Sequence, residues 1–583
     1  MNRVAITTAL ALGCAISWSV SRGVEISLPG EASLKAQAPA ASQLADWLTD
    51  GGDNQRTGWA KNEKILTKQN VGSLKLLWTM ETGNQPRALH SLMPVLVIGQ
   101  LATAAGPKQV GIVNGISDNL YGFDVETGKI LWQKHWTYTP PAGRGGGGGG
   151  AASDPRKLGF LQPGGSSDTP VIGPADAQGR RAVYFVTGDG MLHIVNAATG
   201  EDLEPPYMFH TGKGWSLTLD GRILWMANTY AGISVAAVNL DDPQHKVMTF
   251  NAASGGAWGR RGVTLDSTGT AWTTTGDGVY DPTSDPPRYA NSIVGVHLVN
   301  GEMKLKDYYT PRNWDWLRKR DLDPNNTPVT FTYKGRELIA ASGKECRVYL
   351  LDPKSPGGAD HQTPLTKTDL FCNEEVDFQD MGSWGALSTW EEANGTRWVL
   401  APFWGPVHSQ FKAPIMNTPT AAQGGVAAFK VEGDATAPTL TPAWVSRDMR
   451  RGEPVIIVNG MVIAYGSGEE TKQSWPDIGL QFDSSIRAAK GTHATIYALD
   501  AITGKELWTS GDQMKGWNHF SGVSVVNGRI YLGTYEGTLY SSGDQITSFS
   551  HFSGVTVANG RVYLGTYDGT LYCFGLEEAP RTQ

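Results

Sequence analysis

The clearest pattern in this chain lies near its C-terminus. Gly522–Val526 alternates small polar and apolar positions, as a half-buried strand does. Asn527-Gly528 follows, a pair suited to a hairpin because both central positions of a tight turn take positive φ. Arg529–Tyr535 predicts a second strand, Glu536-Gly537 another turn and Thr538–Tyr540 the start of a third strand. Thr509–Tyr540 and Ser541–Tyr572 align at an offset of 32 residues, and His519–Tyr540 returns as His551–Tyr572 with 18 of 22 positions identical. Identity that high points to a tandem duplication.

Related units run along the whole chain. Each has a short apolar strand ending in Asp or Asn, a Thr-Gly turn, and a strand that often carries Trp. Leu120–Trp132, Leu192–Glu201 and Ile496–Trp508 are the strongest. Weaker copies lie at Val235–Leu240, Val294–Gly301, Val348–Asp352, Val426–Val431 and Leu571–Gly575. A four-stranded sheet cannot shield both of its faces, so such units gain stability by stacking around an axis. The eight units therefore predict an all-β fold: an eight-bladed β-propeller of four-stranded antiparallel blades, with a duplicated partial blade at the C-terminus. In it the Thr-Gly pair supplies the tight turn and the Trp packs between blades. Leu74–Thr79, with Trp78, reads as an orphan outer strand that completes the last blade and closes the ring. The propeller is assigned to residues 46–575, with a tail at 576–583. The duplicates at 509–540 and 541–572 leave open a partial ninth blade or an extra hairpin.

Composition agrees. The 583 residues include 72 Gly and 20 Trp with only 18% charged, a profile of many turns and aromatics rather than long helices. The net charge of −7 lacks the basic face of a nucleic-acid binder, and Arg318-Lys319-Arg320 reads as a solvated loop. Met1-Asn2-Arg3 followed by the apolar run Val4–Val20 predicts a secretory signal over 1–21, with an uncleaved anchor as the alternative. The Ala/Ser/Pro-rich stretch 22–45 then reads as a flexible leader. Export would place the mature chain in the periplasm or outside the cell, with no membrane span. Gly145–Gly150 reads as a low-complexity loop, since six ordered glycines cost too much entropy. Among the cysteines, Cys346 and Cys372 form the candidate disulfide; the alternative is that both, with Cys573, are small buried residues. Without a Cys-x-x-Cys-His motif, covalent haem is not expected.

Three stretches resemble the quinoprotein (pyrroloquinoline quinone, PQQ) dehydrogenases. They are Asn54–Gly58 through Asn70–Leu74 to Trp78; Gly255–Gly259 with Thr273–Pro282 and Tyr289–Val296; and Pro311–Asp315 with Ala340–Asp352 and Gly382–Trp384. The resemblance implies a planar quinone held with calcium near the propeller axis. It implies stacking on Trp258, a cationic contact from Lys344, an aromatic wall from Trp384, a metal ligand in Asp277 and a general base in Asp315. Each has a plainer alternative: blade packing for the tryptophans, a surface lysine for Lys344, a hairpin turn for Asp277-Gly278 and a salt-bridged loop for Asp315. The chain departs from the family at several points: Asp277 stands where an Asn ligand is usual, and the pattern around Asp315 is one residue shorter and lacks a second acid one turn on. Asn228–Ala237 holds no Glu ligand, Ser383 stands where an Asn is usual, and no two cysteines are adjacent. Two functions follow as expectations: oxidation of an alcohol or sugar by hydride transfer to the quinone, or a non-catalytic propeller that binds envelope proteins.

Overall fold

The computed structural model describes residues 44–85, 92–138, 165–210, 213–229, 232–374, 381–418, 423–472, 474–475, 480–482, 484–513, 524–527, 529–531, 538–539, 555–558, 561–565 and 570–576. The predicted signal, most of the leader, the run of glycines, the tail after 576 and much of the duplicate lie outside them.

Among the described residues, eight sheets hold four strands or more. Seven run as antiparallel meanders at 96–135, 171–208, 213–250, 257–309, 329–367, 388–445 and 456–509, except that in the sixth the short strand Ile415–Met416 adds parallel to the outer strand Thr439–Val445. The third strand of each carries the unit read from sequence, for example Asn119–Asp124 in the first and Thr495–Asp500 in the seventh. The eighth sheet joins the two ends of the chain. Lys75–Glu81 pairs antiparallel with Thr570–Gly575, with Thr79 opposite Tyr572. Strands of both duplicate copies enter this same sheet, which has seven strands. Val525 pairs with Val557 and Ile530 with Val562, so the copies lie in register. The described part of the duplicate thus widens the closing sheet.

One device links neighbouring sheets. Asp124 Oδ1 accepts from the backbone N–H groups of Glu126 and Thr127 at 2.9 and 3.2 Å, and Asp500 does the same for Ile502 and Thr503 at 3.0 and 2.9 Å. These Asx bonds shape a turn whose Gly takes positive φ. A Trp from the preceding sheet lies on that Gly. Trp132 Nε1 donates to Ala197 O at 2.9 Å beside Gly200, and Trp444 Nε1 donates to Ala501 O at 3.0 Å beside Gly504. A Cβ on Gly200 would stand 2.6 Å from the Trp132 ring, so only glycine admits the indole. Trp78, on the closing strand, repeats the contact on the first sheet through Val125 O at 3.1 Å.

The opening segment ties the inner strands together. Between Ala45 and Gly58 it bonds in succession to Asn527, Val97, Ile172, Leu217, Leu265, Thr330, Thr389 and Ile457, one residue in or beside each of the eight sheets. Buried arginines reinforce it. Arg56 donates to Val263 O, Asp50 O and Leu217 O at 3.0, 2.6 and 3.0 Å. Arg261 reaches Leu387 O at 2.9 Å and Val455 O at 3.0 Å, bridging the fourth, sixth and seventh sheets. Asp50 balances Arg260 at 3.1 Å and Arg261 at 3.8 Å. Apolar clusters fill the spaces between sheets. No helix among the described residues is long and apolar enough to cross a membrane.

Candidate functional site

Three tryptophans meet beside the fourth sheet. Trp215, Trp258 and Trp384 are buried, with ring centroids 5.7 to 5.8 Å apart in tilted and edge-to-face pairs. Trp258 sits on the short strand Ala257–Trp258, opposite Thr274, whose Oγ1 donates to Trp258 O at 2.9 Å. Gly276 lies against the indole edge, where a Cβ would stand 2.3 Å from Trp258 Nε1. The next residue is Asp277, held where Gly255 N donates to its carbonyl at 2.9 Å.

Lys344 enters from the fifth sheet. It is buried, and its ammonium lies 5.8 Å from the Trp258 ring centroid. It donates to Asp323 Oδ1 at 2.8 Å and to Asp321. Oxygens of Asp277, Asp321 and Asp323 lie within 4.8 Å of one another. Asp321 takes a left-handed φ of 53°, a conformation Asp tolerates better than most residues and one that marks functional turns. Asp323 is buried, while the Asp321 side chain is 46% exposed.

The charges perturb one another. Burial pushes Asp277 up to about 9, with Asp323 and Asp321 adding to the rise and Lys344 opposing it. Burial raises Asp323 as well, again against Lys344. Burial disfavours the charge on Lys344, yet the three acids hold its pKa above the usual lysine range. Asp277 Oδ1 is buried and accepts no hydrogen bond from a described residue.

The structure thus brings Trp258, Trp384, Lys344 and Asp277 together. It does not bring Asp315 to them. The short helix Trp314–Arg318 carries Asp315, which pairs with Arg318 at 2.8 Å and Lys319 at 2.6 Å and is 44% exposed. Those hydrogen bonds and charges draw its pKa below the ordinary carboxylate range, which suits an ion pair better than a proton acceptor. Asp321 and Asp323 were missed in the sequence because this helix separates them from the resembling Trp314-Asp315. The signal available was the close pair of acids Asp321-Leu322-Asp323 just after the helix. Cys346 and Cys372 form a disulfide with Cα atoms 5.4 Å apart, beside a cavity of about 160 Å³ lined by Asn313, Trp316, Leu322, Glu345, Arg347 and Asn373.

A solved europium-containing methanol dehydrogenase superimposes with a TM-score of 0.53 at 12% identity, covering 91% of this chain and 98% of that one. The shared fold is a β-propeller. A quinohemoprotein alcohol dehydrogenase from Pseudomonas putida HK5 is also similar, with a TM-score of 0.51 at 12% identity over 92% of this chain and 82% of that one. The family profile described as outer membrane protein assembly factor BamB matches residues 492–579, which include the last two strands of the seventh sheet, Thr495–Asp500 and Glu506–Thr509, and the C-terminal strands of the eighth. No curated protein matches the sequence at a significant level.

Proposed function

We propose that this chain is an exported quinoprotein-type oxidoreductase, an eight-bladed propeller that oxidises an alcohol or sugar at the Trp258–Lys344–Asp277 site. The observation that carries the reading is the acid trio. With all three carboxylates ionised against one ammonium, as a bound cation would favour, the group carries a net charge of −2, and one buried oxygen has no donor among the described residues. Buried like charges are costly unless a cation neutralises them. Carboxylate oxygens are the donors that calcium and similar hard cations take.

The residues also fit a planar anionic quinone. The indole of Trp258, backed by Trp215 and Trp384, offers an aromatic floor, and Lys344 a positive charge at its edge. Bound PQQ with calcium would supply two-electron acceptance, taking a hydride from the carbon that bears the alcohol. The chain's own residues do the rest. Asp277 and Asp323 would hold the cation. Asp323 also fixes Lys344, whose backbone N–H donates to Asp323 O at 3.2 Å. Asp321, the acid open to solvent, takes the hydroxyl proton, the role the resemblance gives to Asp315. Electrons would leave to a separate acceptor.

The match of 492–579 to the BamB profile favours a second reading, a scaffold for envelope proteins. Reconstitution separates the two. The purified protein is titrated with PQQ and calcium while tryptophan emission and dye-linked alcohol oxidation are followed. Saturable quenching and turnover, both lost in Trp258→Ala and Lys344→Ala, support the oxidoreductase. Absence of quinone uptake at high micromolar concentration supports the scaffold.

A further inference from the structure

Asn325 is fully buried, and neither its Oδ1 nor its Nδ2 has a hydrogen-bond partner among the described residues. A primary amide offers two donors and an accepting oxygen. Leaving such groups buried and unpaired is costly. A group of this kind persists where a ligand meets it.

The backbone around Asn325 indicates which ligand. Pro324 bridges Gly343, and Asn326–Thr327 pairs with Gly385–Ala386, so the segment after Asp323 is extended. Alternate residues of an extended chain share a side. Asp323 turns toward Lys344, which places Asn325 on the side of the acids. Asn326 turns the other way, its Nδ2 donating to Ser383 Oγ at 3.1 Å. Asp277, with its own buried unpaired oxygen, belongs to the same group of acids. A cation satisfies unpaired oxygens but not an NH2 group. An organic ligand with a carbonyl or hydroxyl oxygen satisfies the NH2.

We infer that Asn325 is a further ligand of the cation held by Asp277 and Asp323, through Oδ1, and that its NH2 donates to an oxygen of the organic molecule bound beside it. The inference rests on the cation reading of the site. A neutral oxygen suits the position, because it adds coordination without raising the net charge of −2 that already matches a divalent ion.

The test uses terbium(III) as the cation probe on the full chain, read through emission sensitised by the neighbouring tryptophans. Asn325→Ala is expected to weaken terbium binding by about tenfold or more. Without metal it should unfold no earlier than the wild type, since an unpaired amide has been removed. Asn325→Asp, which keeps the oxygen and loses the NH2, should bind terbium at least as tightly but quench less with PQQ. Wild-type terbium affinity in Asn325→Ala overturns the inference while leaving the cation reading intact, provided Asp277→Ala abolishes binding. Early unfolding of metal-free Asn325→Ala, with no tight binding in Asn325→Asp, shows a structural role instead. No sensitised emission in the wild type ends both the reading and the inference.

Discussion

Replacing Asp277 with asparagine should stabilise the cation-free protein, and more so as pH rises. The acid oxygens lie within 4.8 Å of one another, and Lys344 already bonds to Asp323 at 2.8 Å. Asp277 is therefore the acid that Lys344 does not bond directly among the described contacts. Two unit charges at that separation repel by about 3.5 kcal/mol at an effective dielectric near 20. Its pKa, pushed up to about 9 by burial and by its acidic neighbours, exceeds the ordinary value of 3.8. The folded state then binds more protons than the unfolded state between those limits, so stability falls as pH rises through them. A neutral amide in place of the carboxylate would carry no such penalty. Unfolding in a chelator should show Asp277→Asn gaining on the wild type by about 2–4 kcal/mol near pH 8.5, with the gap closing toward pH 5. Calcium should stabilise the wild type far more than the variant. Parallel pH profiles for the two proteins would refute the reasoning, because they would mean that Asp277 carries no repelled charge.

Other expectations follow from the frame of the propeller. Burial against the Trp136 ring, 4.4 Å away, lowers His193 to about 4 from 6.5. The wild type should therefore lose about 2–3 kcal/mol as pH falls from 6.5 to 4, a loss that denaturant titration should find absent in His193→Leu. Cys372→Ser opens a loop of 26 residues and should cost about 3–4 kcal/mol, read as a lower unfolding midpoint. Arg261→Met removes bonds to Leu387 O and Val455 O and leaves Asp50 short of a cation; a loss of about 3–5 kcal/mol in equilibrium unfolding is expected.

The frame was legible in the sequence because its signals are local. Asp124, Thr127 and Gly128 form their turn within five residues, and Trp132 and Trp508 follow their own Thr-Gly pairs at the same spacing. Trp78 could be read as closing the ring because its strand lacked partners nearby in sequence. The buried arginines were not legible. Arg56 and Arg261 look like surface residues until the opening segment is seen to cross all eight inner strands. The site was half legible. Trp258, Lys344, Trp384 and Asp277 lie in stretches that keep the family's pattern. Asp321 and Asp323 follow an intervening helix, and their pairing with Lys344 depends on the left-handed turn at Asp321. Asn325 gave no sequence signal, since an unpaired amide is visible only once its surroundings are known.

The most direct test is a crystal structure of the protein grown with calcium and PQQ, with anomalous data from a terbium-exchanged crystal to fix the cation. The account predicts an anomalous peak within bonding distance of Asp277 and Asp323, and flat density against the Trp258 ring with an oxygen facing Lys344. A bare acid cluster, with the aromatic floor covered by protein and the cation bound elsewhere or nowhere, would contradict it.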